Sequence, residues 1–171
     1  MQHHSGFTLI ELIIALAVLA ILLSMAAPAM HDFQQRQKVV STANELLAHI
    51  HLARTHAVSR RQITIVCPSS NGQTCSNANR WEQGWIVFRD ADRSGQPESA
   101  AEILRIGAGM DGLLIDSAGR THIRYQPEGT AGGSNLTIKL CDPNNADNAR
   151  AVIVSNPGRP RVDELPNHLT C

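Results

Sequence analysis

The chain has 171 residues with 15 basic and 15 acidic side chains, so its formal net charge is zero. This length predicts a single globular domain, and the neutral charge excludes the globally basic composition of many nucleic-acid-binding proteins, so any basic function must be local. Hydrophobic residues make up 43% of the chain, which excludes disorder, and aromatic residues only 4%, which argues against a platform for stacking bases.

The first predicted element is a long apolar segment at 7–30, in which Glu11 is the one charged residue. At about 1.5 Å of rise per residue, a helix of this length spans the hydrocarbon core of a bilayer. The segment 1–6 contains no Lys or Arg, and the apolar stretch is longer than that of a secretory signal peptide. We therefore expect 7–30 to be a retained, single-pass membrane helix.

The junction of these two segments reads Ser-Gly-Phe-Thr-Leu-Ile-Glu at 5–11. This sequence resembles the prepilin peptidase site of type IV pilins and type II secretion pseudopilins. The resemblance implies that prepilin peptidase removes the leader 1–6 by cleavage between Gly6 and Phe7, and that the new amine of Phe7 is methylated. It also implies an anchor in the cytoplasmic (inner) membrane, a globular part in the periplasm, and incorporation into a pilus or pseudopilus with other pilins.

Glu11 places a carboxylate in the predicted membrane span, and the resemblance to pilins suggests why it is there. A lone carboxylate in an apolar span costs roughly 2.5–3.5 kcal/mol on insertion scales, so it should have a partner. The resemblance implies that Glu11 pairs with the N-terminal amine of a neighbouring subunit during filament assembly. The alternative is a charge tolerated near the edge of the span.

The helix is predicted to continue beyond the membrane as an amphipathic half at 31–60. Its apolar residues recur at steps of four and three, which is the helical period. The predicted stripe consists of Val39, Ala43, Leu46, Ile50, Ala53 and Ala57.

The remainder, 61–171, is predicted to form a β-rich globular domain with a C-terminal tail loop. Apolar and β-branched runs alternate there with clusters of Gly, Asn, Asp and Pro, which is typical of short strands and turns. The predicted strands lie at 63–67, 84–88, 102–106, 113–115, 122–125, 136–140 and 151–154. One long helix followed by these strands predicts an α+β fold with antiparallel sheets. Within the pilin-like families, Trp81 and the run Gly-Trp-Ile-Val-Phe-Arg-Asp at 84–90 are similar to the FimT/GspH family.

The four cysteines of the chain, Cys67, Cys75, Cys141 and Cys171, all lie in this domain. None belongs to a C-x-x-C pair, so we favour two disulfides in an oxidising compartment over four reduced thiols. Three pairings are possible. We favour Cys67–Cys75 and Cys141–Cys171, which the chain-entropy model credits with about 2.6 and 3.7 kcal/mol.

Candidate metal and catalytic sites lack essential parts. The run Asp-Ala-Asp-Arg-Ser-Gly at 90–95 resembles the start of a calcium-binding EF-hand loop, but its twelfth position is Ala101 instead of Glu. The histidines show no i, i+4 pair typical of a helical zinc site. No nucleophile or phosphate-binding motif is present. We therefore predict a solvated turn at 90–95, and a protein that is not an enzyme and has no metal or cofactor.

The C-terminal tail contains the best candidate for a binding site. Gly158, Arg159, Pro160 and Arg161 place two guanidinium groups on a loop stiffened by proline, and Arg150 is a further candidate nearby. This Gly-Arg-x-Arg pattern resembles the tail motif of FimT minor pilins that bind DNA. The alternatives are an ordinary solvated turn or a contact with a neighbouring subunit.

The sequence therefore predicts a minor type IV pilin that binds DNA without sequence preference for uptake in natural transformation. Two other functions stay open at this point. One is a GspH-like minor pseudopilin of a type II secretion system, and the other is a minor pilin that primes pilus assembly only through protein contacts.

Overall fold

The computed structural model describes residues 8–166 and 169–171, apart from the side chains of Met25 and 27–29. Its elements follow in the order α1 Leu9–Arg60, β1 Thr64–Pro68, β2 Trp85–Arg89, a 3₁₀ turn Ala100–Glu102, β3 Ile103–Gly107, β4 Leu114–Asp116, β5 Ile123–Tyr125, β6 Leu136–Asp142, β7 Asn145–Val154 and β8 Pro160–Glu164. All strand pairs are antiparallel. The predicted α+β fold is confirmed.

The chain forms two compact units, 1–35 and 36–171, and α1 runs through both. At the start of α1, the amide of Glu11 donates a hydrogen bond to Thr8 Oγ1 at 3.4 Å, and the amide of Leu12 donates to the Thr8 carbonyl at 3.2 Å. A threonine followed three residues later by glutamate is the capping-box pattern, which satisfies amides that the first turn leaves unpaired. The carboxylate side chain of Glu11 is exposed.

The described apolar side chains of the first unit are exposed, from Leu9 at 76% to Leu19 at 50%. Within the described residues, none of the helices combines the length and the apolar character that a membrane crossing requires. The span predicted at 7–30 includes Phe7 and the side chains of Met25 and 27–29, which lie outside the described part.

In the second unit, the predicted apolar stripe of α1 forms one side of the core. All six stripe residues are fully buried: Val39, Ala43, Leu46, Ile50, Ala53 and Ala57. They belong to one cluster with the inward side chains of both sheets, among them Trp81, Trp85 and Tyr125. The predicted stripe is therefore confirmed as the face of α1 that packs against the β-sheets.

The strands form two four-stranded sheets. Sheet one has the order β3-β2-β1-β5, and sheet two has the order β4-β6-β7-β8. Every residue of β1 is buried, because a second apolar cluster with Ile86, Phe88 and Cys75 covers the face of sheet one that the main core does not. Sheet two instead alternates between a core face and an outer face.

The expected tail loop is only partly a loop, since the structure contains an eighth strand, β8, paired with β7. The strand predicted at 151–154 is also longer, because β7 begins at Asn145. Sequence patterning missed β8 because Val162 is its one β-branched residue and because proline opens it. Proline is tolerated here since it is the first residue of an edge strand.

Candidate nucleic-acid interface

The turn Ser155–Arg159 connects β7 to β8, and the Gly-Arg-x-Arg pattern begins in this turn and ends at Arg161 on β8. Within the turn, the Gly158 amide donates to the Ser155 carbonyl at 2.7 Å, and the Ser155 amide donates to the Arg159 carbonyl at 3.3 Å. Arg159 and Arg161 are exposed on either side of the buried Pro160. The turn thus has closed backbone hydrogen bonding and outward guanidinium groups.

Three consecutive carbonyls of this turn accept hydrogen bonds from the body of the domain. The amide of Ala131 donates to Asn156 at 3.0 Å, Arg54 Nη2 donates to Pro157 at 3.3 Å, and the Tyr125 hydroxyl donates to Gly158 at 3.1 Å. The donors come from a loop, from α1 and from β5. The turn is therefore held by three separate elements of the domain.

Gly158 is required by the close approach of this turn to the body. Its φ is +79°, a left-handed conformation that glycine adopts without strain. An added Cβ would lie 2.1 Å from the Gly129 carbonyl oxygen and 3.0 Å from Tyr125 Cε1. Gly158 thus allows the turn to pack closely on Gly129 and Tyr125. This packing fixes the backbone from which Arg159 and Arg161 extend.

Arg54 joins the two segments that meet under the turn. Its Nε donates to the Gly129 carbonyl at 3.1 Å while its Nη2 holds Pro157. The guanidinium fork suits this paired task because its donors lie in one plane. Sequence reasoning missed Arg54, because nothing in its helical neighbourhood signals contacts with residues 75 and 103 positions later.

Tyr125 is the one tyrosine of the chain, and it lies fully buried beneath the turn. Burial raises the pKa of its hydroxyl above the usual value of about 10, since the charged form would lose its hydration. The hydroxyl therefore stays protonated and acts as a hydrogen-bond donor to Gly158.

Changing Tyr125 to Phe should lower the free energy of unfolding by about 1–3 kcal/mol, because the buried Gly158 carbonyl loses its donor. Urea unfolding of both chains at neutral pH measures the difference. The wild type should also lose stability as the pH rises above about 10, because the unfolded chain releases the phenolic proton before the folded chain does. The variant should lack this part of the loss; equal curves for both chains would contradict the role given to the hydroxyl.

Arg161 lies on the outer face of sheet two, directly opposite Ile153 in the register of β7 and β8. Its Nε is 3.5 Å from Asp163 Oδ2, and both side chains are more than half exposed, at 59% and 56%. An exposed pair of this kind contributes only about 0.2–1 kcal/mol and can exchange for another anion.

Arg150 is not brought together with Arg161. It lies opposite Glu164 and three residues before Ile153 on β7, so its side chain belongs to the other face of sheet two. Its Nη1 donates to the Ala149 carbonyl at 2.8 Å. The outer-face surface therefore contains Arg161 without Arg150.

Both predicted disulfides, Cys67–Cys75 and Cys141–Cys171, are present. The second bond fastens the end of the chain to β6. Beside it, Lys139 Nζ donates to the Thr170 carbonyl at 2.8 Å. Thr170 and Cys171 are therefore held beside β6.

The acidic loop at 90–95 is a structural turn. Asp90 is buried, its Oδ1 accepts the Gly95 amide at 3.0 Å, and its Oδ2 lies 3.4 Å from Arg124 Nη2. Hydrogen bonds from Ser94 lower the pKa of Asp92. Among the described residues, no three His, Cys, Asp or Glu side chains are grouped so that they could hold a metal ion.

The predicted cleavage site, Gly6 and Phe7, lies outside the described residues.

Two protein-family models match the chain. The family described as type II transport protein GspH matches residues 42–158, and a prokaryotic N-terminal methylation motif matches residues 1–27. Arg159 and Arg161 lie just beyond the first of these ranges. No curated protein matches the chain significantly.

Two crystal forms of the type IV minor pilin FimU from Pseudomonas aeruginosa strain PAO1 have a similar fold. One is 25% identical, with a TM-score of 0.58 over 77% of this chain and 95% of FimU. The other is 24% identical, with a TM-score of 0.60 over 81% of this chain and 96% of FimU. The shared fold and the methylation motif indicate a structural protein with a minor pilin-like or pseudopilin-like function. Since the GspH match spans most of the chain, the chain belongs to the GspH/FimT family of type IV pilin-like proteins.

Proposed function

We propose that this protein is a minor type IV pilin that binds DNA without sequence preference through Arg159 and Arg161 and serves DNA uptake in natural transformation. The observation that supports this most is the turn itself. Its backbone is fixed by three carbonyl contacts while both guanidinium groups remain exposed. Guanidinium groups bind phosphates bidentately, and contacts to the DNA backbone convey no sequence information.

The proposal includes the maturation of a pilin. Prepilin peptidase removes the leader 1–6, the amine of Phe7 is methylated, and 7–30 anchors the chain in the inner membrane and assembles with other pilins. Glu11 pairs with the N-terminal amine of a neighbouring subunit. The methylation motif at 1–27 supports the processing step. The two disulfides support a periplasmic location of the domain 61–171, with 31–60 as the amphipathic half of the helix.

The second candidate function is that of a minor pseudopilin of a type II secretion system, or of a minor pilin that primes pilus assembly. The family's description as a type II transport protein favours this alternative. In that case Arg159 and Arg161 would contact a neighbouring subunit instead of DNA. The two functions differ in whether the isolated protein binds DNA.

A salt titration tests DNA binding directly. Two phosphate contacts predict a slope of log affinity against log salt of about −1.8 or steeper, so that raising the salt fourfold weakens binding at least about twelvefold. The dissociation constant of one subunit should lie near about 10⁻⁴–10⁻⁶ M, with tighter capture by several linked subunits. Fluorescence anisotropy of the detergent-solubilised chain with duplexes of different sequence measures both quantities. Salt-independent or absent binding would favour the secretion alternative.

A further inference from the structure

The outer face of sheet two contains a shallow groove of about 500 Å³ next to the turn. Its lining includes Arg161 on β8, Ile153 on β7, Thr137 and Lys139 on β6, Arg120 from the loop between β4 and β5, and Leu169 of the tail. Although the whole chain has zero net charge, the described residues that line this groove include these three cations and no Asp or Glu. A groove lined by charges of one sign concentrates ions of the other sign.

Each of the three cations keeps hydrogen-bond donors for a further ligand. Within the described residues, Arg120 Nη1 donates to the Gly133 carbonyl, and Lys139 Nζ donates one hydrogen bond, to the Thr170 carbonyl. Arg161 contacts Asp163 only through Nε. Because a guanidinium has five N–H donors and an ammonium has three, most of the donors remain for an anion.

Buried contacts fix the backbone that carries Arg120. Ser117 Oγ donates to the Arg120 carbonyl and accepts the indole N–H of Trp81 at 2.9 Å. Ser117 and Trp81 are both buried. The backbone at Arg120 is therefore tied to the buried core by hydrogen bonds, although its own side chain is exposed.

The strand register gives the spacing of the cations. Lys139 lies opposite Ala151, and Arg161 lies opposite Ile153, so the two are on the same face, two strands and two residues apart. With strands about 4.8 Å apart and about 3.4 Å of rise per residue along a strand, their Cα atoms are about 12 Å apart. The acidic neighbours are Asp163, which pairs with Arg161, and Asp116, which lies opposite Lys139 in the register of β4 and β6. The oxygens of Asp116 accept hydrogen bonds from Asn79 Nδ2 and the Ala118 amide.

We propose that Arg120 and Lys139 bind DNA phosphates, so that the DNA backbone runs from the turn across the outer face of sheet two. This inference rests on the proposed function and extends its binding site from two phosphate contacts to four. Among the described residues, no aromatic side chain lines the groove, so the contacts are to the backbone and not to stacked bases.

The number of contacts sets the salt dependence. Four phosphate contacts predict a slope of about −3.6 with duplex DNA, whereas the turn alone predicts about −1.8. Changing Arg120 or Lys139 to Gln should each make the slope shallower by about 0.9 and weaken binding on the order of tenfold at 50 mM salt. Lys139→Arg should have the same slope as the wild type, because the substitution keeps the positive charge.

The experiment measures these slopes by anisotropy with a short mixed-sequence duplex and the detergent-solubilised chain. Arg105→Gln is the matched control, since Arg105 is exposed on β3 of sheet one and its loss changes the net charge equally. Thermal unfolding of each variant reports whether the fold is retained. The control should bind like the wild type.

The possible outcomes separate the two proposals. One outcome is a wild-type slope near about −1.8, with normal binding by both groove variants and weakened binding by Arg159→Gln and Arg161→Gln. This result would overturn the proposed groove contacts and would support DNA binding by the turn. If none of the four substitutions changes binding, the proposed function itself fails. If Arg105→Gln weakens binding as much as Lys139→Gln, binding depends on net charge alone, and the groove is again overturned.

Discussion

Changing Arg159 and Arg161 together to Gln should nearly abolish DNA binding and natural transformation while pilus assembly continues. Each lost phosphate contact weakens binding on the order of tenfold at 50 mM salt, so the double variant should bind about a hundredfold more weakly. A site that starts in the non-specific range of about 10⁻⁴–10⁻⁶ M then has no useful affinity.

The fold should tolerate this double change, because the turn is held by carbonyl groups and by Gly158 and not by the two guanidinium groups. The exposed ion pair of Arg161 with Asp163 is worth at most about 1 kcal/mol. Unfolding curves, DNA anisotropy and transformation frequency can be measured on the same variant.

A double change of Arg93 and Arg105 to Gln is the control, since both are exposed and lie outside sheet two. Normal DNA binding by the Arg159/Arg161 variant would show that these side chains do not contact DNA. Loss of pili together with loss of uptake would show that the turn is a subunit contact, which is what the secretion or priming alternative requires.

Changing Gly6 to Val should leave the full-length precursor in the membrane and exclude it from filaments. The junction 5–11 resembles the prepilin peptidase site, and the methylation motif matched at 1–27 includes it. Without cleavage, Phe7 has no free amine for Glu11 of a neighbouring subunit to pair with. The effect on filament incorporation should therefore be close to complete.

Mass spectrometry of filament-associated protein checks this prediction. The wild type should begin at a methylated Phe7, and the Gly6→Val variant should be found only as precursor in the membrane fraction. Gln2→Ala is a control within the leader that should be processed normally. An intact Met1 on wild-type protein taken from filaments would contradict the proposed processing.

The parts of the fold that repeat a regular pattern could be predicted from the sequence. The stripe from Val39 to Ala57 follows the helical period, and every one of its six members is buried. The cysteine spacing favours the pairs Cys67–Cys75 and Cys141–Cys171, and both bonds are present. The stripe and the short Cys67–Cys75 loop depend on residues close together in the chain, whereas Cys141 and Cys171 are 30 residues apart and are paired by elimination among four cysteines.

The contacts that build the candidate site could not be predicted in this way. β8 has almost no strand signal of its own, and it forms because β7 offers an edge for it to pair with. Arg54, Tyr125 and Gly129 meet the turn from distant positions, and Gly158 reveals its role only beside the Gly129 carbonyl. Likewise, Arg120 and Lys139 share a surface with Arg161 only because of strand register.

The disulfide at the chain end has a mechanical consequence. Arg161 lies on the edge strand β8, so tension on a molecule held there would act first on the hydrogen bonds that join β8 to β7. Cys171 is bonded to Cys141 on β6, an interior strand of the same sheet. Unzipping of β8 would therefore stop at this covalent link, and the pulling force would pass into the middle of sheet two. With the bond reduced, the same force could strip the last strand from the domain.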